Sequence, residues 1–391
     1  MHMSKNYYSL GLMSGTSGDG VDASIIQSDG ENAYKVILDK YFVYNKDICK
    51  NIHKLKEKIN NPLDLINFSK ETESLEKKIT LFHAEVVDYV AKKFDFDFIG
   101  FHGQTIFHDS GKKISRQLGN GKLLSYLSKK TVVYNFREND QKNGGEGAPL
   151  TPIFHALLVE KFKTKLPTIV LNIGGIANVT VINDLAYRRR ERKNILDRMN
   201  GLDIGPGNCL IDQWMKKNSK KNYDIDGSTA RSGKINKIIL EKALDNWQNK
   251  LEDSHWTNKI KWYRSYDIKD FDLSFVHGLS LKDGAATLTE YTSEIYTNFI
   301  NNLVLDYDRP YPKKIIICGG GRKNKFLIKS IAKKIKCSLD LIDKYGVNGD
   351  FVESQAFAYL AIRSYLNLPI SFPGTTGVNR PCPGGTIIKN F

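Results

Sequence analysis

The sequence predicts an α/β protein of two related domains facing a shared cleft. Three observations carry this. At 391 residues the chain exceeds one ordinary core and fits two domains. Two glycine-centred strand–turn–strand segments, one leading into Gly15–Asp22 and one spanning Thr168–Ile182, share a layout although far apart in the chain. Residues 314–342 read strand, glycine turn, helix, strand, a unit that closes a parallel pair.

The elements follow in order. Tyr7–Met13 and Val21–Ile26 are apolar runs around Gly15-Thr-Ser-Gly-Asp-Gly20. Glycines there let successive N–H groups converge on one point, and the hydroxyls can reach phosphate or metal. The same residues also make ordinary hairpin turns. Ala33–Tyr44 reads as a strand. Ser74–Phe94 reads as an amphipathic helix, with Leu75, Ile79, Phe82, Val86 and Val90 at three- and four-residue steps. Asp97–Phe101 is a short buried strand that ends in the polar cluster His102-Gly-Gln-Thr105, where open α/β sheets place ligands. Arg116–Gly121 reads as a turn, Leu123–Lys130 as a helix and Thr131–Asn135 as a strand.

The polar, Gly-rich stretch Asn135–Pro152 predicts a domain boundary. That gives domain I as 1–135 and domain II as 136–366, with the tail 367–391 packing back on domain I. Helix Ile153–Lys161 and the second glycine hairpin come next. Gly201-Leu-Asp-Ile-Gly-Pro-Gly-Asn208 puts Asp203 on a strand end and Asn208 at the cap of helix Cys209–Lys217, whose amino terminus favours anions. Residues 219–275 have weak periodicity. Gly284–Leu303 and Val352–Leu366 read as helices.

The composition is 41% hydrophobic and 26% charged, ordinary for a globular protein. No run of 18 apolar residues exists, which excludes a transmembrane helix as an expectation, and the start lacks a signal-peptide core. The five cysteines form no CxxC pair. Cytoplasm is therefore the expected compartment, with no membrane partner and no zinc site. The net charge of +15 invites nucleic acid, but lysines spread over helical faces and the run Arg188–Lys193 read as solvated surface, so no nucleic-acid partner is expected. Gly319–Gly321 lack GxGxxG spacing, and Gly15–Gly20 is no Walker A loop.

With these residues in hand, the sequence resembles the anhydro-N-acetylmuramic acid kinases over nearly its whole length. The motifs MSGTSGDGVD, FHGQT, QLGNG, NFRENDxxxGGEGAPLTP, LNIGGIANVT, LDIGPGN, DLSFVHGLSLKDGAATLT, CGGGRKN and ESQAFAYLA occur in the family's order. The resemblance implies an actin/Hsp70/hexokinase-type fold, in which two RNase H-like domains close over ATP. It implies a phosphotransferase acting in peptidoglycan recycling. That enzyme hydrolytically opens 1,6-anhydro-N-acetylmuramic acid and phosphorylates O6, with ATP and Mg²⁺ as cofactors. A homodimer is also implied.

The resemblance assigns roles residue by residue. Asp203 matches the catalytic base that activates water. Gly15, Thr16, Ser17, Gly18, Asp19, Gly20, Val21 and Asp22 match the phosphate-1 loop, Gly174 and Gly175 the phosphate-2 loop. Gly319, Gly320, Gly321 and Asn324 match the adenosine segment. His102, Gln104, Arg137, Asp140 and Glu353 match sugar-side groups, with Arg137 suited to a lactyl carboxylate. Asp19 is the candidate to orient Mg²⁺ through water, because Met13 stands where superfamily members often carry an acid.

Three departures stand out. Gly18 replaces the usual Met or Leu, and Glu146 replaces Gln. Arg264-Ser-Tyr-Asp-Ile-Lys269 replaces the usual Ser-Thr-Gly-Arg-Glu loop, and it is expected to touch neither Asp203 nor the glycine turns. Two alternatives remain open at this point: a kinase of the same superfamily for a different amino sugar, and a non-catalytic ATP-binding clamp.

Overall fold

A computed structural model describes residues 5–183, 199–253, 265–305 and 310–391. In chain order these hold β1 (Tyr7–Ser14), β2 (Gly20–Ser28), β3 (Tyr34–Val43), α1 (Lys46–Lys58), α2 (Pro62–Asn67), α3 (Ser69–Ala91), β4 (Phe98–Asp109), β5 (Ile114–Leu118), α4 (Gly121–Ser128), β6 (Thr131–Tyr134), α5 (Glu138–Lys142) and α6 (Pro152–Lys161). There follow β7 (Thr168–Ile173), β8 (Ile176–Ile182), β9 (Met199–Pro206), α7 (Cys209–Asn218), α8 (Ser228–Arg231), α9 (Lys237–Asp253), α10 (Leu281–Leu305), β10 (Lys314–Cys318), α11 (Lys325–Lys334), β11 (Ser338–Leu341), α12 (Val352–Tyr365) and β12 (Thr386–Ile388). Arg188–Lys193, Trp256, Trp262 and Arg264 lie outside the described residues.

The chain divides into two units, Met1–Phe162 with Asp350–Phe391, and Lys163–Gly349. In the first, the sheet runs β3-β2-β1-β4-β6-β12, with β5 paired to β4. The hairpins β1–β2 and β2–β3 are antiparallel, and β1–β4 and β4–β6 are parallel. In the second, the order is β9-β8-β7-β10-β11. Its two hairpins are again antiparallel, and β7–β10 and β10–β11 parallel. Two antiparallel hairpin steps followed by two parallel additions thus occur twice, so each glycine hairpin is the centre of its own sheet.

β1 is buried on both faces, which is why it reads as a continuous apolar run rather than an alternation. Leu10 and Leu12 join Val21, Ile25, Ile99 and Phe101 in a core closed by Ile48, Ile52 and Leu55 of α1 and Ile79, Val86 and Val90 of α3. Its other face carries α12 at backbone distance. A Cβ on Gly11 would lie 1.9 Å from the Ser354 carbonyl, and one on Gly100 would lie 2.2 Å from that of Phe357. The second unit packs Ile169, Leu171, Val179, Ile315 and Ile317 against Leu210, Trp214, Leu288, Ile295 and Leu327.

The domain boundaries differ from the expected 135/136 and 366/367. Residues 136–162 and 350–366 belong with the first sheet. Phe136 is buried 5.2 Å from Phe357, and Phe154 of α6 lies 5.2 Å from Tyr34 and 5.7 Å from Tyr359. The Gly-rich stretch is tied down as well: Asp140 Oδ1 accepts from Thr376 and Oδ2 from the Gly147 N–H, at 2.6 and 2.7 Å. Polarity there reflects internal hydrogen bonding rather than a linker. In the tail, β12 pairs antiparallel with β6.

Candidate active site

The first glycine turn sits between β1 and β2. Gly18 has φ +64° and is buried under Ile52, whose Cγ2 lies 2.9 Å from where a Cβ would stand. Any side chain at this position meets both strain and contact, so the glycine fixes the loop rather than merely loosening it. Thr16, Ser17 and Asp19 are exposed. Ser17 Oγ donates to Asp19 Oδ1 (2.6 Å), Gln104 Nε2 donates to the Gly15 carbonyl (3.0 Å) and Lys56 Nζ to that of Thr16 (2.9 Å).

Beside the turn, Asp22 stands half-buried on β2. Burial pushes its carboxyl up to about 8, and the charges of Glu353, Asp19, Asp350 and Asp39 push the same way. Tyr41, opposite Asp22 on β3, hydrogen-bonds Asp19. No three His, Cys, Asp or Glu among the described residues converge well enough to hold a cation alone. Mg²⁺ fits such a setting when one carboxylate, phosphate oxygens and water complete its octahedron. Exposed Asp19 is the carboxylate suited to it, and added positive charge would relieve the repulsion on Asp22.

His102 does not end a strand, because β4 continues to Asp109 and hairpins with β5, which contains Arg116–Leu118. Instead, Leu12 pairs Phe101 and Met13 pairs Gly103, so His102 is the extra residue of a bulge, with Gly103 at φ +74°. Bulges re-aim side chains next to functional sites. Arg137 Nη2 lies 3.1 Å from His102 Nε2. Arginine can only donate, so Nε2 accepts and Nδ1 carries the proton, donating to the Gly103 carbonyl at 2.8 Å. Burial and the guanidinium hold this imidazole neutral, its pKa lowered to about 3. A cavity of about 350 Å³ opens here, lined by His102, Glu76, Arg116, Gln117, Asn120 and Tyr134.

Of the other expected sugar-side groups, Gln104 is fully buried against the first glycine turn. Asp140 is spent inside the Gly-rich stretch, and Glu353 is in the first turn of α12.

In the second unit, Gly174 and Gly175 turn β7 into β8. Their carbonyls accept from the N–H groups of Asn208 (2.8 Å) and of Gly207 and Cys209 (2.9 and 3.2 Å). The start of α7 is therefore capped by this turn, and the Asn208 side chain makes no capping bond, contrary to expectation. At the third glycine turn Gly319 has φ +79°. Buried Arg322 braces it, donating to the Gly319 carbonyl and as a fork to Asp343, whose carboxyl is thereby held low. Asn324 Oδ1 accepts from the Leu327 N–H, capping α11.

Asp203 lies within β9, which runs on to Pro206, rather than at a strand end as expected, and is 7% exposed. Asn178 pairs Asp203 while Ala177 pairs Gly205, so Ile204 is bulged out and Gly205 takes φ +154°. Asp203 Oδ2 accepts from the Tyr266 N–H at 2.9 Å. The substituted loop therefore does touch Asp203, against expectation. A buried carboxylate held by a rigid backbone donor, with the chain bent beside it, suits proton acceptance at a fixed point.

The family model described as anhydro-N-acetylmuramic acid kinase matches residues 7–390. The chain belongs to this family. A protein of Pelagibacter ubique (strain HTCC1062) named anhydro-N-acetylmuramic acid kinase is 50% identical over 394 residues, covering 100% of both chains. One of the same name from Zymomonas mobilis subsp. mobilis is 35% identical, covering 97% of this chain and 98% of that one. Among solved structures, Acidaminococcus fermentans (R)-2-hydroxyglutaryl-CoA dehydratase component A is similar at 13% identity and TM-score 0.41, over 92% of this chain and 99% of that one.

As a member of the anhydro-N-acetylmuramic acid kinase family, the chain carries neighbours of these sites that sequence reasoning missed: Tyr41, Asp350 and the Tyr266 amide. Asp350, two residues before α12 and three before Glu353, was visible as an acid at a helix start. The other two are long-range partners with no local signature.

Proposed function

We propose that this chain is an ATP-dependent kinase that opens 1,6-anhydro-N-acetylmuramic acid with water and phosphorylates O6, giving N-acetylmuramic acid 6-phosphate and ADP. Its place is peptidoglycan recycling. Family membership over residues 7–390 supports the activity. The single geometric support is Asp203, buried, at a bulge, with Oδ2 held by the Tyr266 amide.

In this reading Asp203 takes a proton from water as the water oxygen attacks the anomeric carbon. The bond from that carbon to the bridging oxygen breaks. The freed O6 takes the γ-phosphoryl group, and ADP leaves with the former β–γ bridging oxygen. In the first unit the exposed Thr16, Ser17 and Asp19 and the N–H groups of Gly15–Asp22 bind phosphate; in the second unit that role falls to Gly174 and Gly175. Gly319–Gly321 and Asn324 take the adenosine. Bound with ATP, Mg²⁺ supplies charge neutralisation on the phosphates, oriented by Asp19. The neutral His102, Arg137 and Glu353 orient the sugar, and Gln104 acts through the Gly15 carbonyl it holds; the cavity beside His102 has monosaccharide dimensions. Asp140 contributes by holding the Gly-rich stretch that carries Gly147, to which Arg137 Nη1 also donates. The protein works in the cytoplasm as a homodimer; a solution mass of one chain would remove the dimer.

The deciding experiment is ADP release with the anhydro sugar. Wild type should turn over, and Asp203→Asn should lose at least about a hundredfold in kcat, the scale of general-base assistance. Turnover of another amino sugar and none of this one would favour the shifted-substrate reading. Normal turnover by the Asn variant would refute the mechanism.

A further inference from the structure

We propose that the aromatic cluster Trp247–Tyr266–Phe271 is the positioning element of Asp203, holding its carboxylate through the Tyr266 amide; this rests on the kinase reading above. Three observations within the second unit converge. First, the Tyr266 N–H is 2.9 Å from Asp203 Oδ2. A backbone donor on Oδ2 stabilises the charged carboxylate and fixes its orientation. Second, the loop bearing that amide is pinned at both ends of a short turn. Tyr266 packs 5.7 Å from Trp247 and 5.5 Å from Phe271, and Trp247 packs 5.9 Å from Phe271. The next residue, Asp267, forms a reciprocal capping box with Asp270, whose carbonyl accepts from Lys250 Nζ at 2.7 Å. Third, the cluster also reaches the strand that carries Asp203. Trp247 Cζ2 lies 3.6 Å from where a Cβ on Gly205 would stand, beside the Ile204 bulge.

Trp247 on α9 therefore borders both devices that fix the carboxylate: it lies beside Gly205 of the bulged strand and packs on the ring of the residue whose amide holds Oδ2. Neither the Tyr266 hydroxyl nor either other ring is needed as a reacting group. The family's usual Ser-Thr-Gly-Arg-Glu at this place holds no aromatic residue, and this chain has a tyrosine within Ser265–Lys269. In this protein the anchor is apolar packing, and the functional contact is main chain.

The test uses the full chain. Tyr266→Pro removes the N–H, Trp247→Ala removes the ring that joins loop and bulge, and Tyr266→Phe keeps both ring and amide. Tyr266→Pro and Trp247→Ala should lower kcat about tenfold, leave the KM for ATP unchanged, and move the acid limb of the kcat–pH profile up by about one pH unit, the scale of one lost charge-assisted bond. Tyr266→Phe should restore the wild-type acid limb. Independently of turnover, the ¹³C carboxyl titration of Asp203, assigned by its loss in Asp203→Asn, should shift up in the first two variants. If Tyr266→Pro does not fold, Trp247→Ala decides. An unmoved titration and acid limb in a folded variant overturn the inference. Absent turnover by wild type overturns the kinase reading instead, and the titration still judges the positioning.

Discussion

Replacing Asp22 with asparagine should stabilise the ligand-free protein, and more at alkaline than at acid pH. The carboxyl titrates near 8 in the folded chain against an ordinary value of 3.8, because it is withdrawn from water and faces Glu353, Asp19, Asp350 and Asp39. Folding therefore takes up a proton between these two values. Stability is fully present below the unfolded pKa and is lost as pH rises toward 8. The cost is about 1.6 kcal/mol at pH 5 and about 5 kcal/mol at pH 8, at 1.36 kcal/mol per unit. Asparagine keeps the shape and cannot ionise. Any fixed packing difference cancels when two pH values are compared, so the variant's advantage should widen by about 4 kcal/mol from pH 5 to pH 8. Urea denaturation of both proteins at pH 5, 6.5 and 8, followed on the transition of the amino-terminal unit, measures it. An advantage constant within about 1 kcal/mol would refute the acid cluster as a source of strain in the free protein.

Other outcomes follow from the same packing. Gly11→Ala should cost about 3 kcal/mol or more in urea denaturation, because its methyl would meet the Ser354 carbonyl at 1.9 Å and push α12 off the sheet; a loss below about 0.5 kcal/mol would be incompatible with that contact. His83, His102 and His155 are fully buried and neutral, with pKa values lowered by burial to about 4, 3 and 3. The unfolded chain thus binds more protons below pH 6.5, so stability should fall on acidification from 6.5 toward 4. His83→Phe should flatten that slope by up to about 1.4 kcal/mol per pH unit, as read in denaturation across this window. Arg322→Ala removes the fork to Asp343 and the bond to the Gly319 carbonyl, and should raise the KM for ATP about tenfold while Asp203-dependent chemistry persists in saturating ATP; an unchanged KM would detach the third glycine turn from nucleotide binding.

What was legible in the sequence was local, and what was not came from partners far along the chain. The hairpins around Gly15–Gly20 and Gly174–Gly175 announced themselves because an apolar run on each side of a glycine turn is their whole signature. Helix α1 was legible only as a lysine-bearing helical face at Lys50–Lys58, because its apolar stripe is only Ile48, Ile52 and Leu55. The extension of β4 through His102 was hidden for a different reason. The bulge at His102 and the left-handed Gly103 break the two-residue alternation by which a strand is read. The Gly-rich stretch misled because polar residues mark a linker and an internally bonded loop alike, and what separates the two is bonds such as Asp140–Thr376, spanning 236 positions. The same limit governs Asp203. That an acid stands beside the Gly205–Asn208 turn is written in the neighbouring residues, but its place inside β9 and its orientation depend on a bulge and on an amide 63 positions later. A backbone donor carries no residue-type signature, so the loop that looked most divergent from the family pattern is the one that holds the carboxylate. Side-chain substitution there conserves function only insofar as it conserves the path of the main chain, which is the quantity that the Trp247–Tyr266–Phe271 packing controls.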